Sequence, residues 1–222
     1  MTPSIVAPGA TRRPRRDDRL AWRAVVEDIS VAELGIERIE PRRGPRKYES
    51  GLMAREVPVF CGIVKKEAPR RAVEIGTWWG LSSEMILEMS PDCEITTIDY
   101  KDQKVTRLPE LGPPDPRINF VIEDSRTVRF PREWYGSVDL VFVDGNHRRN
   151  GVVNDTRLAM SLIAPGGLII WHDLLVPGGG RDRDKGLGSK HKYYVSEYLY
   201  NDFPLRVFRV DNTVLGLHWF GS

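Results

Sequence analysis

Residues 72–83 read Ala-Val-Glu-Ile-Gly-Thr-Trp-Trp-Gly-Leu-Ser-Ser. They begin with a short apolar run typical of a buried strand, pass through a turn that holds two glycines, and end with helical character. Because glycine permits a tight turn and a close approach of a ligand to the backbone, Gly76 and Gly80 predict a ligand-binding loop. A serine-capped helix is expected over Ser82–Met89, where free backbone N–H groups can bind a carboxylate or a phosphate.

Further apolar runs predict the other strands of one sheet. Helical or loop segments separate most of them, and this alternation is typical of a parallel sheet covered by helices on both faces. The runs are Ala72–Ile75, Ile95–Ile98, Ile118–Ile122, Val138–Val143 and Leu168–Trp171, the last preceded by a turn at 165–167. Runs at 205–210 and 214–220 are too close for a crossover, so they predict an antiparallel strand pair. The expected fold is therefore α/β, mostly parallel, with a C-terminal antiparallel pair.

Three regions are expected along the chain. A disordered basic tail is predicted over 1–17, since residues 1–20 hold five Arg and two Asp. An N-terminal helical cap or arm is predicted over 18–68. Its first helix is expected at Asp18–Ile29, and its second near Pro58, a residue that suits a first helical turn. The sheet domain is predicted over 69–222.

The composition narrows the class of protein. The chain has 222 residues, of which 41% are hydrophobic and 29% charged, with a formal net charge of +2. These values exclude collagen and a disulfide scaffold, and the near-neutral charge does not favour a nucleic-acid partner. The apolar runs are too short to span a bilayer, and no signal segment is evident, so a cytoplasmic protein without a membrane partner is expected. Cys61 and Cys93 lack metal-site spacing and are expected to be reduced thiols.

An acidic residue follows the glycine turn at the end of the next strand. Asp99 lies 19 residues after Gly80, and a carboxylate at this place can accept hydrogen bonds from both hydroxyls of a ribose. The glycine spacing is G-x-x-x-G and not the G-x-G-x-x-G of dinucleotide enzymes. The pattern therefore favours a nucleoside-containing ligand other than a nicotinamide dinucleotide.

The motif Glu74–Ser82 resembles the first motif of class I S-adenosylmethionine-dependent methyltransferases, in the variant found in small-molecule O-methyltransferases. The resemblance covers roughly residues 50–220 and implies a Rossmann-like sandwich that binds S-adenosylmethionine. It implies that the turn borders the methionine part, that Ser82 holds its carboxylate and that Asp99 binds the ribose. The cofactor-binding residues implied are Glu74, Gly76, Trp78, Gly80, Ser82, Asp99, Asp124, Ser125 and Asp144.

Polar residues also follow two later strands. Asp144 and His147 come after the run Val138–Val143, and His172 and Asp173 come directly after Leu168–Trp171. Ligands of open parallel sheets bind at the carboxyl ends of the strands. Two neighbouring strands that both end in such groups therefore predict a site at this edge.

This arrangement resembles the motifs of macrocin-type and cephalosporin-type O-methyltransferases and, more distantly, catechol O-methyltransferase. The resemblance implies that Asp144, His172 and Asp173 bind magnesium or another divalent cation and that His147 is the general base. It also implies a small-molecule hydroxyl acceptor, a natural product or a sugar. A cation lowers the pKa of a hydroxyl, and a base of near-neutral pKa can take its proton. Magnesium prefers oxygen ligands, so His172 would suit manganese, iron or zinc better.

Other functions stay open at this point. Arginine clusters at 12–16 and 42–47 motivate an RNA-directed methyltransferase of the same fold, and the motifs are also compatible with a non-catalytic cofactor-binding or scaffold protein. A nicotinamide-dependent oxidoreductase is disfavoured by the missing G-x-G-x-x-G, and a hydroxylase by the lack of a two-His, one-carboxylate iron site. The segment Leu174–Lys192, rich in glycine and charge, is compatible both with a lid over the acceptor and with a solvated linker. A homo-oligomer is also left open.

Overall fold

The computed structural model describes residues 26–42, 51–102, 111–174, 195, 199, 202–203 and 205–221. The α-helices in these ranges are α1 (Val57–Glu67), α2 (Leu81–Met89) and α3 (Arg149–Leu162), with a short 3-10 helix at Arg132–Trp134. The strands are β1 (Val26–Ile29), β2 (Arg71–Ile75), β3 (Glu94–Asp99), β4 (Ile118–Ile122), β5 (Val138–Val143), β6 (Ile163–Trp171), β7 (Val207–Val210) and β8 (Gly216–Trp219).

All of these strands lie in one sheet, in the order β1-β7-β8-β6-β5-β2-β3-β4. Neighbouring strands are parallel except at β8, which runs antiparallel to both β6 and β7. The predicted mostly parallel sheet with a C-terminal antiparallel pair is confirmed. Because β2, β3, β5 and β6 are parallel, the loops that follow them meet at one edge of the sheet.

The two faces of the sheet are covered by different helices. Strand residues alternate between the faces, so Ala72 packs in a core with α1 and α2, whereas Val73 packs in a core with α3. In the first core, the rings of Phe60 on α1 and Phe142 on β5 lie 5.0 Å apart. In the second core, the buried indole Nε1–H of Trp171 donates a 3.0 Å hydrogen bond to Thr156 on α3. Both faces are therefore buried, which explains the apolar runs of β5 and of the second half of β6.

The sequence placed most elements correctly. Strands β4 and β5 have the predicted bounds, and α1 begins with Pro58 in its first turn. Strand β6 begins at Ile163, five residues before the predicted run. Its residues 165–167 lie within the strand bounds, where the pairing with β5 is irregular.

Two helix predictions are corrected by the structure. Residues 26–29 of the predicted first helix form strand β1, which pairs with β7. The guanidiniums of Arg206 and Arg209 also pair with Glu27 and Asp28 there. These tertiary contacts outweigh the local helical spacing. Helix α2 is capped by Gly80 and not by a serine side chain, because the hydroxyl of Ser82 is bonded elsewhere.

Several predictions concern residues that the structure does not describe. The tail 1–17, residues 18–25 of the predicted helix and the lid or linker segment after Leu174 up to Lys192 lie outside the described residues. The division into an arm and a sheet domain at residue 68 stays a prediction. Among the helices that the structure describes, none has both the length and the apolar character needed to cross a bilayer.

Candidate active site

The glycine turn lies between β2 and α2 at the carboxyl edge of the sheet. Gly76 has a φ of +100°, and a Cβ built on it would lie 2.2 Å from the backbone oxygen of Asp144. The ends of β2 and β5 can therefore approach this closely only with glycine at position 76. Trp78 also has a left-handed φ, +48°, and its side chain is 55% exposed. Such strain in a non-glycine residue is typical of functional turns.

Asp99 holds this turn in place from the end of β3. Its Oδ2 accepts hydrogen bonds from the backbone N–H groups of Thr77 at 3.1 Å and Trp78 at 3.3 Å. Its Oδ1 accepts one from Lys101 at 3.1 Å. The Asp99 carboxylate therefore fixes the conformation of the glycine turn from the end of the neighbouring strand.

Glu74 is a fully buried carboxylate below the turn. The hydroxyls of Ser82, Ser83 and Thr97 donate hydrogen bonds to it, the last two at 2.5 Å and 2.7 Å. Burial raises the pKa of Glu74 to about 7, although the hydroxyl bonds act in the opposite direction. Glu74 therefore ties β2 to the start of α2 and to β3, and it has no surface open to a ligand.

Asp124 and Ser125, which the resemblance implies to be cofactor-binding residues, follow β4. Asp124 pairs with the guanidinium of Arg126, whose hydrogen bonds lower the pKa of the carboxyl to about 2. The hydroxyl of Ser125 donates a 2.6 Å hydrogen bond to Asp155 on α3. Ser125 is thereby fixed against α3, whereas Asp124 stays at the surface.

Exposed apolar side chains at this edge were missed by the sequence reasoning. Tyr100, directly after β3, is 69% exposed, and Ile122, the last residue of β4, is 54% exposed. With Trp78 after β2, they give the ends of three adjacent strands an apolar surface. Such a surface suits a flat ring system, and the signal in the sequence was an apolar residue at each strand end.

An acidic cluster lies at the ends of β5 and β6. His147 Nε2 lies 2.8 Å from an oxygen of Asp173 and 3.4 Å from an oxygen of Asp144. One nitrogen or oxygen atom from each of the three residues lies within 4.8 Å of the others. Asp173 has a left-handed φ of +57°. The structure therefore brings together three residues that the sequence predicted from two separate motifs.

The charges in this cluster shift its pKa values in opposite directions. Hydrogen bonds to Asp144 and Asp173 raise the pKa of His147 to about 9, against the effect of burial. Burial alone would raise the pKa of Asp144, but His172 and His147 outweigh it and lower that pKa to about 2. The cluster thus favours an ionised Asp144 beside a strongly basic imidazole.

His172 lies beside this cluster and bridges two carboxylates. Its Nδ1 lies 3.2 Å from Oδ1 of Asp144, and its Nε2 lies 3.1 Å from Oε2 of Glu56. Burial would lower the pKa of His172, but Asp144 and Glu56 raise it well above its ordinary value. The sequence reasoning missed Glu56, which no strand-end or spacing pattern marks.

The donor atoms present fit a divalent cation. Asp144 and Asp173 offer carboxylate oxygens and His147 an imidazole nitrogen, a set that suits manganese, iron or zinc better than magnesium. His172 is not part of this cluster, so its predicted role as a ligand stays a prediction. The turn, Asp99 and the exposed apolar side chains fit a nucleoside-containing cofactor in the same way.

Comparison with known proteins adds to this geometry. Residues 73–174, from β2 to just after Asp173, match a protein family described as a methyltransferase domain. Among curated proteins, none matches this chain.

Solved structures share the fold at low sequence identity. Cofactor-bound Rv0187 from MTB is 17% identical over 93% of this chain and 89% of that chain, with a TM-score of 0.54. SAH-bound PaMTH1, a methyltransferase of Podospora anserina, is 19% identical over 73% and 76%, with a TM-score of 0.52. The O-methyltransferase TomG of Streptomyces achromogenes, in complex with SAM and involved in tomaymycin synthesis, is 18% identical over 74% and 78%, with a TM-score of 0.50. At these identities the likeness shows the fold.

Proposed function

Because residues 73–174 match a protein family described as a methyltransferase domain, we propose that this protein transfers the methyl group of S-adenosylmethionine to a hydroxyl of a small molecule. The family match bears out the methyltransferase resemblance of the sequence, and the neighbours bound to SAM or SAH support the same cofactor. One observation carries the O-methyl part of the proposal. His147 lies between two carboxylates, one strand away from the glycine turn.

The cofactor would lie across the ends of β2, β3 and β4. The glycine turn would border its methionine part, and the carboxylate of Asp99 would accept hydrogen bonds from the ribose hydroxyls. Tyr100, directly after Asp99, and Ile122, opposite Asp99 on the neighbouring strand β4, offer exposed apolar surface that suits the adenine. Asp124 and Ser125 are proposed as the polar contacts of this ring.

The transfer needs one proton acceptor. Because its two carboxylate neighbours raise the pKa of His147 to about 9, the neutral imidazole prevails in alkaline solution. In that form, its Nε2 would take the proton of the acceptor hydroxyl. The oxygen then forms a bond to the methyl carbon, and the carbon–sulfur bond breaks with its electron pair remaining on sulfur. The products are a methyl ether, S-adenosylhomocysteine and the proton held by His147. In-line placement of the two substrates supplies much of the remaining rate enhancement.

We propose Asp144 and Asp173 as the carboxylate ligands of a divalent cation. When bound, such a cation lowers the pKa of a coordinated hydroxyl. The cluster permits His147 to serve as the base or as a third ligand, but its Nε2 cannot do both at once. We assign it as the base, so His147→Ala should leave Mn²⁺ affinity within about two-fold, whereas loss of a ligand should cost about ten-fold or more.

The test of this function begins with calorimetric titration of the full chain with S-adenosylhomocysteine, with and without Mn²⁺ or Mg²⁺. Micromolar binding that Asp99→Ala abolishes and Asp92→Ala preserves supports the cofactor site, since Asp92 is an exposed carboxylate in the turn before β3. A screen of phenolic and sugar hydroxyls with radiolabelled S-adenosylmethionine then identifies the acceptor. Failure to bind the cofactor under any condition would refute the methyltransferase function.

Two other functions would give different results. A non-catalytic protein would bind the cofactor and Mn²⁺ but transfer no methyl group to any acceptor. An RNA-directed enzyme would bind RNA in a strongly salt-dependent way. The arginine clusters that motivate this alternative lie outside the described residues except for Arg42, whose backbone N–H bonds to Glu88. The structure adds nothing in its favour, and a cytoplasmic location stays a prediction.

A further inference from the structure

We propose that Glu56 and His172 are positioning residues that hold the Asp144 carboxylate in the active site. This assignment rests on the proposed cation-assisted methyl transfer and deepens it. It also replaces the ligand role that the sequence predicted for His172. Asp144, His172 and Glu56 form a chain of three side chains that ends at a fully buried carboxylate.

The side chains of His172 and Glu56 are both buried. His172 is 6% exposed and Glu56 is 0% exposed. The two ring nitrogens lie 3.2 Å from Asp144 Oδ1 and 3.1 Å from Glu56 Oε2. Both ring nitrogens thus face carboxylates, and His172 lies outside the cluster in which Asp144, His147 and Asp173 come within 4.8 Å of one another. This geometry gives His172 the role of orienting Asp144.

Backbone groups anchor Glu56. Its Oε2 accepts a 2.9 Å hydrogen bond from the N–H of Met53, and its Oε1 accepts one of 2.9 Å from the N–H of Val214. These donors belong to the segment before α1 and to the segment before β8. Because backbone on both sides fixes Glu56, the carboxylate gives His172 a rigid partner.

Gly51, which precedes Met53 and Glu56 in the same segment, lies directly against Asp144. Gly51 has a φ of +76°, and a Cβ built on it would lie 2.8 Å from Asp144 Oδ2. Residues 51–56 therefore meet both oxygens of Asp144, one directly and the other through His172. A segment that lies outside the matched range 73–174 thus completes the wall of the site.

A matched pair of substitutions separates positioning from ligation. In His172→Asn, the amide nitrogen takes approximately the place of Nδ1 and can still donate to Asp144. In His172→Gln, the amide nitrogen takes approximately the place of Nε2, so the bond to Glu56 can remain while the bond to Asp144 is lost. Glu56→Gln is the third variant, since it places a donor where Glu56 now accepts from Met53.

The affinity for Mn²⁺ is measured by electron paramagnetic resonance for the wild type and the three variants. We expect His172→Gln and Glu56→Gln to weaken Mn²⁺ binding about 10- to 100-fold, and His172→Asn to weaken it much less. S-adenosylhomocysteine affinity, measured on the same samples, should stay unchanged in all three. A merely structural role would lower Mn²⁺ and S-adenosylhomocysteine affinity together.

The other outcomes overturn the proposal in distinguishable ways. Equal losses of Mn²⁺ affinity in His172→Asn and His172→Gln would make His172 a ligand. Wild-type affinity in His172→Gln and Glu56→Gln would refute the positioning role while leaving the proposed function intact. A wild type that binds S-adenosylhomocysteine but no Mn²⁺ would refute the cation and this assignment together. If His172→Gln does not fold, the result for Glu56→Gln decides.

Discussion

The contact between Gly76 and Asp144 gives a quantitative prediction for Gly76→Ala. A Cβ at residue 76 would lie 2.2 Å from the backbone oxygen of Asp144, 2.6 Å from its carbonyl carbon and 2.8 Å from Cα of Gly145. All three contacts are with backbone atoms, so no side chain can rotate away to make room. The turn after β2 must therefore separate from the turn after β5.

Two costs add in this variant. A left-handed backbone costs a non-glycine residue about 1–2 kcal/mol, and overpacking a tight site typically costs about 1–3 kcal/mol. The smaller entropy of the unfolded alanine chain offsets about 0.4–1 kcal/mol. We therefore expect Gly76→Ala to lower the free energy of unfolding by about 2–4 kcal/mol in total.

Urea denaturation followed by circular dichroism measures this loss, and Gly136→Ala is the matched control. Gly136 has a φ of +72°, but a Cβ there would meet nothing within 4 Å, so it bears only the backbone cost. We expect the control to lose about 1 kcal/mol and to bind S-adenosylhomocysteine normally, whereas Gly76→Ala should bind it weakly. Equal losses of stability in the two variants would refute the reasoning from the backbone contact.

Three further predictions test the site. His147→Ala should lower the methyl-transfer rate about 10²- to 10⁴-fold with unchanged S-adenosylhomocysteine affinity, and an unchanged rate would reject the base role. Asp99→Asn should bind S-adenosylhomocysteine better than Asp99→Ala in calorimetry, since the amide oxygen can still accept hydrogen bonds from the turn. Equal affinities of the two variants would show that these bonds do not contribute to ligand binding. Glu74 ionises near pH 4.5 when unfolded but near 7 when folded, so stability should fall by about 3 kcal/mol as pH rises between these values. Glu74→Gln should remove that fall in urea denaturation at several pH values, and a parallel pH dependence of both proteins would contradict the shift.

The sequence could predict the parts of the fold that local pattern controls. Apolar runs located β4 and β5. Strand β5 is almost wholly apolar because it is buried on both faces, whereas the edge strand β4 is only partly buried. The same reasoning brought Asp144 and Asp173 together, since the ends of adjacent parallel strands meet at one edge. These predictions needed no knowledge of side-chain orientation.

Contacts over long sequence distances could not be predicted in this way. Glu56 and His172 are 116 positions apart, and neither periodicity nor spacing links them. The direction of the His172 ring depends on that contact, so the sequence placed His172 with the cation ligands. Strand β1 was misjudged for the same reason, because its pairing with β7 outweighs its helical spacing.

The place of β8 between β6 and β7 has a consequence for how the protein is made. Strand β6 has β8 as a sheet neighbour, with Leu168 opposite Trp219. A ribosome therefore releases β6 long before the strand that covers its open edge, and an unpaired apolar edge is prone to aggregation. Val26 on β1 likewise stays without its sheet partner until Val207 on β7 has been synthesised. Such distant pairings slow folding, so we expect this chain to complete its sheet only after synthesis and to depend on chaperones at high expression.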